Sequence, residues 1–557
     1  MSRVANLHVE LPSGERREIS VTRDNRSLAD VLAGRGLPLN TRCGQRGLCQ
    51  GCEVLLCEGA VAVNDKVVAA PATIQACRAR VNGPAAIRIP ARSRIEHRPQ
   101  IGDTFEIAIP FAHQPLFPPV PGGRDTAFAV DVGTTTVVVL LVDLVTGDVL
   151  SRAGAFNEQL RFGDNVVTRI EAARKPGNLA AMRRAIVMET IQPLLLRACR
   201  RAGRALERIA GGAVAGNTTM LHLLAGEDPA PLGVAPFTPR FLHGRLVSAR
   251  DLQLAAAGLA PETPVQLLPG IAAYIGADIT AGVFATGMVF DPSPSLLVDI
   301  GTNGEIVLQS GGKLTACATA AGPAFEGCGL LCGARARDGA VSDLRLALHP
   351  FQLETATIGN VPLDQANGLC GSAYVDFLAT ARSCGLLGVT GRFDTAAWES
   401  LPAQNRLSAG HERALCLTPS GGAGGLAAPK LPGEGGLRIS EVDVALLLQA
   451  KAAIGAGVEI LLETAGVRAA DLARVYLAGG FGMHLNVAHA IAIGLLPGFR
   501  QEQVRVVGNT ALAGALLALV DRTTLDEMEK LRLQVGVIEL NLADSFEDRY
   551  IEHLMLP

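Results

Sequence analysis

The sequence predicts a multidomain chain: a small α+β domain at the N-terminus, a proline-rich connector, and a two-lobed α/β region filling the rest. Three observations carry this. The chain has 557 residues, too many for a single hydrophobic core. Residues 90–125 hold seven prolines and no helical period, as a linker does. Two similar strand–turn–strand patterns, "AFAVDVGTTTVVVLLVDLVTGDVL" and "SLLVDIGTNGEIVLQSGGKLTACATA", lie about 170 residues apart, the mark of a duplicated fold. The expected boundaries are 1–92 for the first domain, 93–124 for the linker, 125–210 for a middle segment carrying the first turn, and 211–557 for the remainder.

Composition narrows the function classes. With 48% hydrophobic residues and 62 glycines the chain is globular and loop-rich. A net charge of −3 makes no case for nucleic acid. No apolar run reads as long enough to span a bilayer, and the N-terminus alternates like a strand without a signal-peptide core, so no membrane partner and a cytoplasmic location are expected. Twelve cysteines in a reducing compartment read as ligands or small buried side chains. Positive charge gathers in "RACRRAGRALER", which reads either as a solvated helix face or as a docking surface for an acidic partner.

The first domain carries "TRCGQRGLCQGCEVLLCEGA". With Cys77 it places cysteines as C-x5-C-x2-C-x24-C at Cys43, Cys49, Cys52 and Cys77. Three ligands from one tight loop and a fourth from afar suit a 2Fe–2S cluster, whose iron needs four thiolates. Gly44, Gly47 and Gly51 let the backbone curl around the sulfides. Zinc, the competing reading, usually takes two close pairs. Cys57 reads as a buried side chain, and Arg42, Arg46, Arg78 and Arg80 flank the ligands, where positive charge raises the potential. The spacing resembles 2Fe–2S ferredoxins of the adrenodoxin type, which implies a β-grasp domain.

The α/β region has no Walker A sequence and no dinucleotide fingerprint. Its two turns, "DVGTTT" and "DIGTNGE", each put a carboxylate at a strand end before a glycine and hydroxyls. Facing one another, such turns hold phosphates on backbone N–H groups: Gly133, Thr134 and Thr135 from one, Gly301, Thr302, Asn303 and Gly304 from the other. Asp131 and Asp299 would hold Mg²⁺ through water, and Glu305 is a candidate for orienting the attacking water. A third turn, Gly479, Gly480, Phe481 and Gly482 in "VYLAGGFG", would let a base and ribose lie against bare backbone. The three in this order resemble the phosphate-1, phosphate-2 and adenosine motifs of the superfamily of actin, sugar kinases and heat-shock ATPases (ASKHA). That resemblance implies ATP as ligand, RNase-H-like duplicated lobes, and close-crossing helices with Gly276 and Gly455 as points of approach.

A 2Fe–2S domain fused to such an ATPase resembles the reductive activators of corrinoid-dependent methyltransferases. The resemblance extends through "FGDNVVTRI", "VAGNTTMLHLLAGEDP", "LLPGIAAYIGADI", "AAGPAFEG", "GLCGSAYVD" and "VVGNTALAGA". It implies ATP-dependent delivery of one electron to an inactive Co(II) corrinoid methyl-carrier protein, an upstream electron donor, and a second copy of the chain as a candidate partner. Two other readings stay open: an electron-transfer module with a non-hydrolysing actin-like scaffold, and a small-molecule kinase with a redox-sensing domain. The remaining cysteines, Cys328 and Cys332 included, read as buried thiols.

Overall fold

The computed structural model describes residues 4–557 apart from 12–13, 23–25, 40, 42–44, 46, 48–51, 91–92, 94–103, 108–112, 410–411 and 419–435. By internal packing the chain forms two units: residues 1–97, 160–164 and 326–447 make one, and residues 98–159, 165–325 and 448–557 make the other.

The first unit begins with a mixed sheet. Its strands are β1 (Val4–Glu10), β2 (Arg16–Thr22), β3 (Glu53–Val63), β4 (Lys66–Ala69), β5 (Ala72–Gln75), β6 (Ala79–Arg80) and β7 (Ala85–Arg88), ordered β2-β1-β7-β3-β4 with β5 and β6 also against β3. Alternation sets the faces of β1, where Ala5, Leu7 and Val9 are buried and Asn6 and His8 face out. Asn64 and Asp65 both take positive φ, as the two-residue turn between β3 and β4 requires. A helix at Leu28–Ala33, capped by the Ser27 hydroxyl on the Asp30 N–H, packs Leu28 and Leu32 into this core. The same unit holds two small sheets, β17 (Ala340–Leu348), β18 (Phe351–Thr357) and β19 (Gly368–Leu369), then β20 (Arg406–Ala409), β21 (Glu412–Cys416) and β22 (Arg438–Ser440). Part of "GLCGSAYVD" serves here: Asp376 accepts the Leu344 N–H and Ser372 donates to the Ser342 carbonyl.

The second unit contains the duplication. One sheet runs β10-β9-β8-β11-β13-β12, from β8 (Thr126–Val132), β9 (Thr136–Asp143), β10 (Val149–Phe156), β11 (Ile209–Gly216), β12 (Arg245–Ser248) and β13 (Pro264–Leu267). The other runs β24-β23-β14-β15-β16-β25, from β14 (Ser295–Ile300), β15 (Gly304–Ser310), β16 (Lys313–Thr319), β23 (Arg474–Ala478), β24 (Val504–Gly508) and β25 (Gly536–Val537). Each begins as a three-stranded antiparallel meander and continues with two strands parallel to the first. The central strands are mostly apolar, because both of their faces are covered, with carboxylates only near the ends that meet the turns. The first sheet crosses the boundary expected at residue 210, since β11 and β13 belong to it.

The connector is more than a tether. Phe105 and Ile107 pack on Ala285, Ala513 and Leu517, and the Thr104 carbonyl accepts the Asn509 N–H at 3.1 Å. Gln114 and Leu116 bond the Val520 and Leu519 carbonyls at 2.9 and 2.8 Å, and the Phe117 ring lies where Gly211 has no side chain. Its spaced apolar residues, not its prolines, decide this packing.

The helix Ala277–Ala285 crosses the helix Thr510–Val520 closely, with Gly282 against Thr510 and Gly514 against Ala281. Gly276 is a close-approach point, but against Asn217 and Thr218, and Gly455 meets the His553 ring. The helix Glu441–Ala465 is an exception to the expected lack of long apolar runs: it has 25 residues, and an 18-residue stretch of it with a mean hydropathy of 1.7 is apolar enough to cross a membrane, but 78% of that stretch is buried within the protein. Two arginines of the basic stretch are engaged in ion pairs, Arg204 with Asp143 at 3.0 Å and Arg208 with Asp125.

Candidate functional site

Within the second unit the two turns face each other. The Thr135 and Thr302 hydroxyl oxygens lie 3.5 Å apart, so the ends of β8 and β14 converge on one point. Gly133 lies against the Thr136 carbonyl and Gly304 against the Thr319 hydroxyl, where a side chain would overlap. Gly301 N–H donates to the Asn303 carbonyl at 2.9 Å, closing the second turn.

The third turn joins them. Gly479, at φ +92°, presses against the Asp299 carboxylate and the Ile300 carbonyl. An added methyl at Gly480 would meet nothing within 4 Å, so the bare backbone expected to face a base and ribose opens onto space. Phe481 stacks on Phe325 with ring centroids 5.1 Å apart, which gives "AAGPAFEG" a role in shaping this end.

Four carboxylates surround the convergence. Asp131 stands near the end of β8, and Asp299 sits directly across from Glu305 in the β14–β15 ladder. Asp278 opens the helix that follows Gly276. Burial, with Asp131 nearby, pushes Asp299 up to about 7. Burial, then Asp299 and Asp131, pushes Asp278 up to about 8. Asp131 is held lower, at about 6, because Asn509 donates to its carboxylate at 2.8 Å against the burial that raises it. Glu305 is buried, 7% exposed, and raised well above the usual range by burial and by Asp278 and Asp299. This differs from the exposed, solvated carboxylate that follows many turns. Among the described residues no group of three or more His, Cys, Asp or Glu is arranged to hold a metal ion directly.

Several of these residues escape motif reading. Asp278 lies in "GADITAG", which reads as a small-residue helix. Asn217 and Asn509 each follow a strand in a Gly-Asn-Thr sequence and cap the next helix, accepting from Met220 and Leu512 N–H groups. Each also bonds a site residue, Asn217 donating to the Thr134 hydroxyl at 2.9 Å and Asn509 to Asp131. The repeated Gly-Asn-Thr was the available signal. Asn157 and Arg169 support the first turn from behind, bonding the Gly133 and Thr134 carbonyls.

In the first unit Cys52 and Cys77 stand at the ends of the β3–β5 pair, both buried, and the Ala76 N–H bonds the Cys52 carbonyl at 3.1 Å. Gly47, at φ +72°, lies against the side chain of Arg78, the residue after Cys77. Cys57 is exposed on β3, not buried as expected. Cys43 and Cys49, with Arg42, Gly44, Arg46 and Gly51, lie outside the described residues.

Two sheets of matching order, with their turns converging on a carboxylate-lined point beside a Gly-Gly turn, define a domain of the ASKHA class. Residues 126–290 match the RACo middle region, and residues 293–557 match the C-terminal domain of RACo, the ASKHA domain. The chain belongs to the RACo family. It is 28% identical to the corrinoid activation enzyme RamQ of Eubacterium limosum over 97% of both chains. It is 27% identical to the [Co(II) methylated amine-specific corrinoid protein] reductase of Methanosarcina barkeri, over 75% of this chain and 74% of that one. A solved structure titled reductive activator for corrinoid, iron–sulfur protein superposes with a TM-score of 0.70 at 28% identity, covering 99% of this chain and 98% of that one.

Proposed function

We propose that the protein is an ATP-dependent reductive activator that returns an inactive Co(II) corrinoid protein to Co(I) by delivering one electron. The observation that carries this is the likeness to a corrinoid reductive activator along 99% of the chain, with the converging turns inside it. The cobalt must be Co(I) to attack a methyl donor, and each reduction takes one electron and no proton.

The first unit would hold the electron carrier. Cys52 and Cys77, both buried just beyond the same end of the β3–β5 pair, fit two of four thiolate ligands, with Cys43 and Cys49 as the other two. A 2Fe–2S cluster bound there supplies single-electron chemistry, refilled by an upstream donor. Arg78, beside Cys77, adds positive charge that favours the reduced form.

In the second unit the turns at Gly133–Thr135 and Gly301–Gly304 bind the phosphates, and Gly479–Gly482 takes the adenosine. Mg²⁺ at Asp131 and Asp299, held through water, would neutralise phosphate charge. Asp278, which opens the helix at this convergence, would orient the attacking water. Glu305, raised well above the usual carboxylate range by burial and by Asp278 and Asp299, is the less suited of the two to serve as base. ATP is cleaved to ADP and phosphate, and the closing and opening of the two lobes drives a reduction that an ordinary 2Fe–2S donor leaves uphill.

The working partners are a corrinoid protein and an electron donor, with a second copy of the chain and a cytoplasmic setting as parts of the same reading. ATP turnover measured with and without a Co(II) corrinoid protein tests it. The expected result is stimulation by that partner. Turnover that responds only to a small metabolite would support a kinase instead.

A further inference from the structure

Arg169 is fully buried, at 0% exposure, and heads the largest fully buried side chains of the protein. A cation in such a place costs several kcal/mol unless its hydrogen bonds are made. Its guanidinium donates to Gln159 Oε1 at 3.1 Å, to the Thr134 carbonyl, and lies 3.1 Å from Met220 Sδ. Gln159 is itself fully buried and anchored, its Nε2 donating to the Met182 carbonyl at 3.0 Å. Asn157, equally buried, donates from Nδ2 to the Gly133 carbonyl and from its main-chain N–H to the Thr135 carbonyl, both at 2.9 Å. Its Oδ1 accepts the Gln159 main-chain N–H at 3.0 Å, so the three residues form one network.

The consequence follows from peptide geometry. In a trans peptide the C=O and the next N–H point to opposite sides. Pinning the Gly133 and Thr134 carbonyls from behind therefore turns the Thr134 and Thr135 N–H groups the other way. Two successive N–H groups aimed together make an anion-binding nest. The bond from Arg169 also polarises the Thr134–Thr135 peptide and puts a positive charge behind it.

We infer that Arg169, with Asn157 and Gln159, is a positioning residue that aims the first turn's N–H groups at the nucleotide phosphates and strengthens them as donors. This rests on the nucleotide reading of the site and deepens it. The discriminating feature is charge: attraction to the turn should grow with the number of phosphates and be absent for adenosine.

The test uses the full-length protein with Mg²⁺ and measures affinity for adenosine, ADP and ATP by calorimetry, alongside KM and kcat for ATP hydrolysis. Arg169→Gln should weaken ATP about tenfold, the effect of losing one charge-assisted hydrogen bond, weaken ADP less, and leave adenosine within about twofold. KM for ATP should rise with the loss of affinity. Equal weakening of all three ligands, or unchanged ATP binding in a folded variant, would overturn the assignment. If Arg169→Gln does not fold, Arg169→Lys is read instead; it keeps the charge and loses the fork, so it should give a smaller loss, again graded by phosphate number. An ungraded loss, or none, would likewise overturn it. Failure of the wild-type protein to bind ATP would remove the nucleotide reading together with this inference. Wild-type binding with an unaltered Arg169→Gln variant removes this inference alone.

Discussion

The two lobes repeat one sheet, but their first turns are furnished differently. Behind Gly133–Thr135 sit a buried cation and two buried amides, all contributed by residues 157–169, beyond the meander that forms the turn. Gly301–Gly304 is backed by its own hairpin and by a pair of acids in register, Asp299 and Glu305, with Gly479 pressed against the first of them. The repeat thus supplies equivalent frames, and side chains from outside it specialise each. On the proposed reading both turns would meet phosphate, the first with a positive charge behind it and the second with a pair of acids beside it.

The sharpest break in that comparison is expected at Asp299. Asp299→Ala should lower ATP hydrolysis by about 10²-fold or more, typical for a positioned charge at a phosphoryl-transfer site. Substrate affinity should change less than kcat, the reverse of the pattern expected behind the first turn. A loss confined to KM would place Asp299 among the holding groups.

Asn509→Ala should act more mildly, through Asp131. The amide now keeps that carboxyl lower than burial alone would allow, so its removal raises the pKa above about 6. Hydrolysis at pH 6.5 should fall roughly tenfold and recover as pH rises toward 8, because the carboxylate must be ionised to serve the cation. A pH-independent loss would point to helix capping as its sole role.

The smallest effect expected is on stability. Asp131, Asp299 and Asp278 have folded pKa values of about 6, 7 and 8, above the ordinary carboxylate value of about 3.9. Between those limits the folded state binds more protons than the unfolded one, so stability falls as pH rises from about 4 to about 8. Saturating Mg²⁺ and ATP should reverse part of that fall, with a rise in Tm that grows over the same window. A Tm gain independent of pH would place the cation away from these carboxylates.

Much of this was legible in advance, and the reasons are specific. Duplication showed because "DVGTTT" and "DIGTNGE" keep the same strand-end carboxylate followed by the same glycine and threonine. The Gly-Gly turn showed because Gly479 takes a positive φ and presses against Asp299 and Ile300, where a side chain would overlap. The supporting network did not show. Arg169 reads as a charge on an amphipathic helix, and only the fold carries it behind a turn formed 35 residues earlier. Asn217 and Asn509 look like ordinary helix caps, because their second hydrogen bonds are made to residues remote in sequence. The connector misled because its prolines conceal Phe105, Ile107 and Phe117, whose burial decides where it lies.

The most direct test joins the two chemistries of the molecule. A Co(II) corrinoid protein is mixed with the full-length protein and a strong artificial reductant, and Co(I) absorbance is followed with and without ATP. The prediction is Co(I) with ATP at a rate far above that without it, and none above background when Cys52 or Cys77 is replaced by Ser. Co(I) forming equally fast without ATP would contradict nucleotide-driven electron transfer, and Co(I) forming at the full rate in the cysteine variants would contradict the path of the electron.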